Sequence, residues 1–357
     1  MDTTAPIRLG VIGYGGIARE CLKASQIPET GFRLTGLCGL DQDVLTETAR
    51  EFGIAYITTN FLELLERSDV DAVAIYAPDV LHFQMIKAAL LSGKDVVVTK
   101  PMVISSSEAV QVLELLSRTG RTLIVGETSR YARYCMAAHQ LVRDGDLGRL
   151  VFGETHYVHD MRPVFDKTPW RYLEPKDFPI GSMCHPIALL AWYLGDADEV
   201  FAYGINSGVD SRYPADTPDT YLVNVRFING AIGRILGAFG IIHPPLPMES
   251  LSLFGTKGSL VHDRVVLDRL PGKPTATLSF DSESDHEGEV RRYMEEFARA
   301  IRHGEQASYT ALDAAKTVAI GEAIKVSVAT GTPASVRSDF SSVQLKNQAL
   351  VDVAHGR

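Results

Sequence analysis

Apolar residues in the first third of the chain follow two alternating rhythms. Short, largely apolar runs cover 7–12, Phe32–Cys38, 71–78, 95–99 and 122–126. Between them apolar residues return every three or four positions, as in Leu81, Met85, Ala88 and Ala89, or Ala109, Val112, Leu113 and Leu116. The runs predict buried strands and the spaced stretches predict amphipathic helices. Gly53 and Gly93 close two of those helices, and Ser105 with Glu108 has the pattern of a capping box. Strands joined by helices make a parallel sheet covered on both faces.

The rhythm changes near residue 150. Strand-like segments then follow one another: Leu150–Val158, 199–204, 221–227, 231–239 and 251–254. In 221–227, Leu222, Asn224 and Arg226 share one face, as in a sheet with one wetter side. Two helices follow, one striped by Tyr293, Phe297, Ala300 and Ile301 and one over 310–331. The expected organisation is an α/β chain: a doubly wound Rossmann domain at 1–127, an α/β domain with a large open, mostly antiparallel sheet at 128–340, and a polar tail at 341–357.

Composition narrows the functions. The net charge of −9 argues against a broad nucleic-acid or anionic-lipid surface. Cys21, Cys38, Cys135 and Cys184 are scattered without a Cys-x-x-Cys pair, so neither a metal site nor a disulfide scaffold is expected. Reduced thiols and the lack of a leader-like amino terminus point to a cytoplasmic protein. No apolar run reaches the ~20 residues of a membrane helix.

The glycine turn after the first strand, Gly13-Tyr14-Gly15-Gly16-Ile17-Ala18, has the context of a dinucleotide clamp, strand before and helix after. Gly13 allows the tight turn, Gly15 lets the backbone approach a pyrophosphate, and small Ala18 lets helix pack on strand. The acidic residue expected ~20 positions on, which would bind the adenosine ribose, is missing. Gly39 occupies its place. Leu40 and Asp41 follow, and Asp41 either reaches the ribose or caps the next helix. The cofactor is NAD or NADP, with Asp41 and the lack of a neighbouring cation favouring NAD. Lys100 follows the fourth apolar run, just before Pro101. A cation there is costly in a core and useful in the crevice that open α/β sheets form at their strand ends.

With these residues in order, the chain resembles the glucose–fructose oxidoreductase and inositol dehydrogenase family (Gfo/Idh/MocA) from about residue 6 to about 336. The likeness includes the Gly13–Ala18 turn, the loop through Ala77 and Pro78, and His82. Gly93-Lys-Asp-Val-Val-Val-Thr-Lys-Pro101 matches the family's Glu-Lys-Pro signature with Thr99 for the glutamate. It continues through Ser129-Arg130-Tyr131, Asp146-Leu-Gly-Arg149, Pro169-Trp170-Arg171, His185 ten residues before Gly195, and Gly255-Thr-Lys-Gly-Ser259.

The resemblance implies hydride transfer between NAD(P) and a carbinol carbon of a sugar, cyclitol or related polyol. It makes Lys100 the residue that bonds the reacting oxygen and His185 its acid/base partner. A lysine beside a cationic nicotinamide and partly desolvated is expected to titrate low, toward the range of a proton relay. Trp170 and Arg171 match a pair near the nicotinamide. Arg130, Tyr131, Tyr157, His159 and Asp160 are candidate substrate residues, and His82 positions the Ala77–Val80 loop. The open sheet implies a homodimer or homotetramer. Two departures stand out: the family often has aspartates four before and three after the histidine, where this chain has Gly181 and Ala188. Their loss keeps two alternatives open, a redox-neutral NAD-dependent glycosidase or lyase and a non-catalytic nucleotide-binding sensor.

Overall fold

The computed structural model describes residues 5–168, 177–278, 286–336 and 340. They form two compact units. The first holds the described residues up to Tyr131 together with 286–315 and residue 340; the second holds 132–278 and 316–336.

The first unit is a six-stranded parallel sheet: β1 (Ile7–Ile12), β2 (Phe32–Cys38), β3 (Ile57–Thr58), β4 (Ala72–Ile75), β5 (Asp95–Thr99) and β6 (Leu123–Gly126). Its order, β3-β2-β1-β4-β5-β6, is doubly wound, reversing direction between β1 and β4. β1, β4 and β5 are buried almost throughout, which is why they read as continuous apolar runs. Helices α1 (Gly16–Ser25), α2 (Gln42–Phe52), α3 (Phe61–Glu66), α4 (His82–Leu91) and α5 (Ser106–Thr119) connect the strands. At α5 the Ser105 hydroxyl accepts from Glu108 N–H, as expected, while the Glu108 carboxylate accepts from Ile104 N–H, one residue before the cap.

One element of this unit comes from far along the chain. α10 (His286–His303) buries Val290, Tyr293, Met294 and Phe297 with Leu9, Val11, Leu22 and Phe32. Each large side chain so buried contributes about 1.5–3 kcal/mol. The sequence expectation placed this helix with the second domain; the structure groups it with the first unit, because its apolar stripe is buried in that unit's core.

The second unit carries a nine-stranded mixed sheet, β14-β13-β12-β11-β7-β10-β9-β8-β15. β7 (Leu150–Val158) lies at its centre, parallel to β10 (Ile232–Ala238) and antiparallel to β11 (Glu249–Gly255). β8 (Ala197–Ile205) and β9 (Thr220–Phe227) extend one side, where β15 (Ala334–Ser335) forms the edge. β12 (Gly258–Val261), β13 (Arg264–Leu267) and β14 (Ala276–Thr277) extend the other. Helices α6 (Arg133–Arg143), α7 (Arg162–Lys167), α8 (Phe178–Gly181) and α9 (Cys184–Leu194) belong to this unit. α9 packs against β7 and β10: the Leu190 side chain lies so close to Gly153 and Gly233 that a Cβ there would come within 3.0 and 2.7 Å of it. α11 (Ala311–Thr330) is the last helix. On the opposite sheet face Leu222, Asn224 and Arg226 are all exposed, as their alternation predicted.

Candidate functional site

β1, β4 and β5 are adjacent and parallel, so their carboxyl ends share one edge of the first sheet. At the end of β1, Gly13 has φ +105° and donates to Cys38 O at 2.8 Å. A Cβ at Gly13 would lie 2.3 Å from Tyr76 O, so no other residue fits the turn. At Gly15 and Gly16 an added Cβ would meet no heavy atom within 4 Å, so the loop's backbone borders open space. α1 starts at Gly16 with no side chain capping it and no acid in its first turn. Its leading N–H groups and positive dipole end suit a pyrophosphate. Ala18 is buried and Ile17 borders solvent. These residues fit a dinucleotide.

In doubly wound dinucleotide folds the end of the second strand faces the adenosine ribose, and here that position is the end of β2. The Tyr14 ring lies against Gly39: a Cβ at Gly39 would sit 2.0 Å from Tyr14 Cε1. That contact explains why the strand ends in glycine where a carboxylate was expected. Asp41 N–H donates to Tyr14 Oη at 2.9 Å. The Asp41 carboxylate caps α2, with Oδ1 accepting from Asp43 and Val44 N–H at 3.0 and 3.1 Å. Of its two expected uses the structure displays the cap. Leu40 is 85% exposed.

β4 runs into Ala77 and Pro78, and β5 into Lys100, which is half-buried; the Lys100–Pro101 peptide is cis. His82, wholly buried at the start of α4, ties these two exits together. Its Nε2 lies 2.9 Å from Ala77 O and its Nδ1 2.7 Å from Pro101 O. Parallel pairing of Thr99 with Gly126 makes Lys100 and Glu127 the next residues out of neighbouring strands. Glu127 is fully buried, its Oε1 accepting from Ser129 N–H. Sequence reading passed over it, since a single carboxylate after a strand carries no distinctive pattern.

Arg130 and Tyr131 differ from expectation. Arg130, 3% exposed, donates to Ser308 O at 2.9 Å and lies over the Tyr309 ring. The Tyr131 hydroxyl donates to Glu296, and burial together with that carboxylate raises its pKa well above the usual phenol range. Both polar heads are engaged inside the first unit, which does not favour a substrate role for either.

In the second unit His185 is the second residue of α9 and is 6% exposed. The ring of Tyr157, from the carboxyl end of β7, lies 5.2 Å from its ring and 5.9 Å from His159. Thus three of the expected residues gather at one end of β7. Burial holds the His159 pKa below its ordinary value, and Nδ1 is buried without a hydrogen-bond partner. Such an atom marks a place where a polar ligand group would be accommodated. Asp160 behaves differently. Arg162 grips it with Nε and Nη2 at 2.9 and 2.6 Å and holds its carboxyl far below the usual range. That pair anchors the turn into α7 and leaves Asp160 poorly placed for substrate. Gly181 and Ala188, where aspartates were expected, are buried among apolar neighbours of α8 and α9. Trp170 and Arg171 lie outside the described residues. Among the described residues no group of three or more acidic, histidine or cysteine side chains could hold a metal ion, and no helix is long and apolar enough to cross a membrane.

Comparison with known proteins adds four findings. Residues 7–127 match the oxidoreductase family with an NAD-binding Rossmann fold, and residues 135–261 match the GFO/IDH/MocA C-terminal domain. The chain is 26% identical to 1,5-anhydro-D-fructose reductase of Ensifer adhaerens, over 93% of this chain and 99% of that one. Over 44% of its length it is 32% identical to a glycosyl hydrolase family 109 protein of Shewanella amazonensis, covering 36% of that protein. Its fold superposes on levoglucosan dehydrogenase in complex with NADH and levoglucosan with a TM-score of 0.79, at 19% identity, over 93% of this chain and all of that one.

Proposed function

The chain belongs to the Gfo/Idh/MocA family of oxidoreductases with an NAD-binding Rossmann fold, and from that premise we propose that it moves a hydride between NAD or NADP and a carbinol carbon of a sugar, cyclitol or related polyol. The observation that carries this reading is a single sheet edge. The Gly13–Ala18 turn, the Ala77–Pro78 loop and Lys100 leave three adjacent parallel strands at the same end. A bound dinucleotide supplies the hydride acceptor or donor there. Lys100 donates a hydrogen bond to the substrate oxygen and relays its proton, a role worth roughly 10²–10⁴ in rate. His185 supplies the acid/base partner, and Tyr157 and His159 contact substrate hydroxyls, with neutral His159 able to donate or accept. The similarity to a named sugar reductase over nearly the whole chain supports a polyol substrate.

The similarity to a family 109 glycosyl hydrolase protein supports a second reading, redox-neutral cleavage in which bound NAD is reduced and reoxidised within one turnover. The open sheet face suits a homodimer or homotetramer: Tyr203, Leu222 and Leu236 align across β8, β9 and β10, and Tyr203, Ile205 and Ile232 are more than half exposed.

Nicotinamide absorbance, followed while the protein is offered sugars, cyclitols and sugar acids with NAD and NADP in parallel, tests the proposal. Net reduction with one polyol supports the dehydrogenase. Glycoside cleavage without net reduction selects the second reading. Silence in both assays, with NAD bound, overturns both.

A further inference from the structure

We propose that the Tyr14 hydroxyl, in place of a strand-end carboxylate, reads the 2′-hydroxyl of the adenosine ribose; the inference rests on the dinucleotide reading of the Gly13–Ala18 turn. Three observations meet at this residue. First, the position that ordinarily supplies the ribose carboxylate is Gly39 at the end of β2, and the Tyr14 ring occupies the space any side chain there would need. Second, the next carboxylate along the chain, Asp41, uses Oδ1 to cap α2 through the N–H groups of Asp43 and Val44. Third, the only hydrogen bond of Tyr14 Oη among the described residues is the one it accepts from Asp41 N–H at 2.9 Å. A phenol has one proton to donate as well as lone pairs to accept with. That bond pins the oxygen at the mouth of the turn, and its own O–H remains to donate.

Tyr14 lies between Gly13 and Gly15, so the segment that would cradle the pyrophosphate also delivers the hydroxyl to the adenosine end. The ring adds a flat apolar surface beside the ribose. A neutral donor in this position replaces the charged acceptor of the usual arrangement. The ribose hydroxyl therefore accepts from the protein rather than donating to it.

A cycle between protein and ligand hydroxyls tests this by calorimetry on the full chain. The ligands are NAD⁺ and its 2′-deoxyadenosine analogue; the proteins are wild type, Tyr14→Phe and Asp41→Asn. Removing one hydrogen bond between neutral groups costs about 3- to 10-fold in affinity. Wild type should bind the deoxy analogue that much more weakly than NAD⁺. Tyr14→Phe should lose the same factor for NAD⁺ and less than twofold for the analogue. Asp41→Asn retains a capping oxygen and should keep the wild-type gap. An equal loss for both ligands in Tyr14→Phe would show that the hydroxyl only holds the Asp41 turn, and the inference fails. A gap that closes in Asp41→Asn would assign the ribose to the carboxylate, with the same result. Failure of wild type to bind either ligand would overturn the dinucleotide reading itself, and this inference with it.

Discussion

His82 offers the sharpest test of how the sheet edge is held together. Replacing it by alanine removes a ring that is wholly buried and within hydrogen-bond distance of two carbonyls, Ala77 O at 2.9 Å and Pro101 O at 2.7 Å. A neutral imidazole has a single N–H to give, so one of the two carbonyls counts as hydrogen-bonded; stripping that buried acceptor of its partner costs about 1–3 kcal/mol, and the vacated ring volume adds a cavity cost of about 2 kcal/mol. The sum is about 3–5 kcal/mol. For a domain of 150–250 residues each kcal/mol moves the midpoint by about 2–4 °C, so His82→Ala should melt about 6–20 °C below wild type. His82→Asn can restore an N–H to one carbonyl and should fall between them. Thermal unfolding followed by circular dichroism reads the effect. A shift under about 2 °C for His82→Ala would refute the reasoning, because the two carbonyls would then not depend on the ring.

Further outcomes follow from other sites. His185→Ala should lower kcat more than it raises KM in steady-state kinetics on whichever polyol is turned over; a change confined to KM would reduce His185 to a binding residue. His159 has a folded-state pKa below its ordinary 6.5 because it is buried, so the unfolded chain takes up its proton first. Its contribution to stability is therefore fully present above about pH 6.5 and is lost as pH falls through the lowered folded value. Urea midpoints from pH 7.5 to 5 should fall more steeply for wild type than for His159→Asn, and parallel curves would contradict the burial argument. Gly39→Ala drives a methyl into the Tyr14 ring. It should lower the thermal midpoint by several degrees, and Tyr14→Ala in the same chain should recover much of the loss.

The nucleotide-binding half was legible because its signals are local. Runs such as Val96-Val97-Val98, the Ser105 cap and the glycine turn each occupy a few consecutive positions, and the structure places β5, α5 and the β1–α1 turn on them. In the second unit the alternation of Tyr221–Phe227 marked β9 in the same way. What escaped was non-local or short. β12, β13 and β14 span two to four residues, too few for a period to show. The stripe on α10 announces that something covers it but not what, and partners such as Leu9, Val11, Leu22 and Phe32 lie more than 250 residues earlier in the chain. Arg130 and Tyr131 read as cleft residues because their partners, Ser308 and Glu296, are 178 and 165 residues away. His185 illustrates a further limit. α9 is apolar on nearly every side, so periodicity assigns the histidine no face, and its proximity to Tyr157 helps set it apart from a core residue.

The central claim, that Lys100 at the end of β5 handles the proton of a hydride transfer, is tested most directly by Lys100→Met. Nicotinamide absorbance gives turnover on the wild-type substrate, and calorimetry gives NAD⁺ affinity. The account predicts turnover reduced by about 10²-fold or more, with affinity within about threefold of wild type. Near-normal turnover in Lys100→Met would contradict it and remove the lysine from the mechanism.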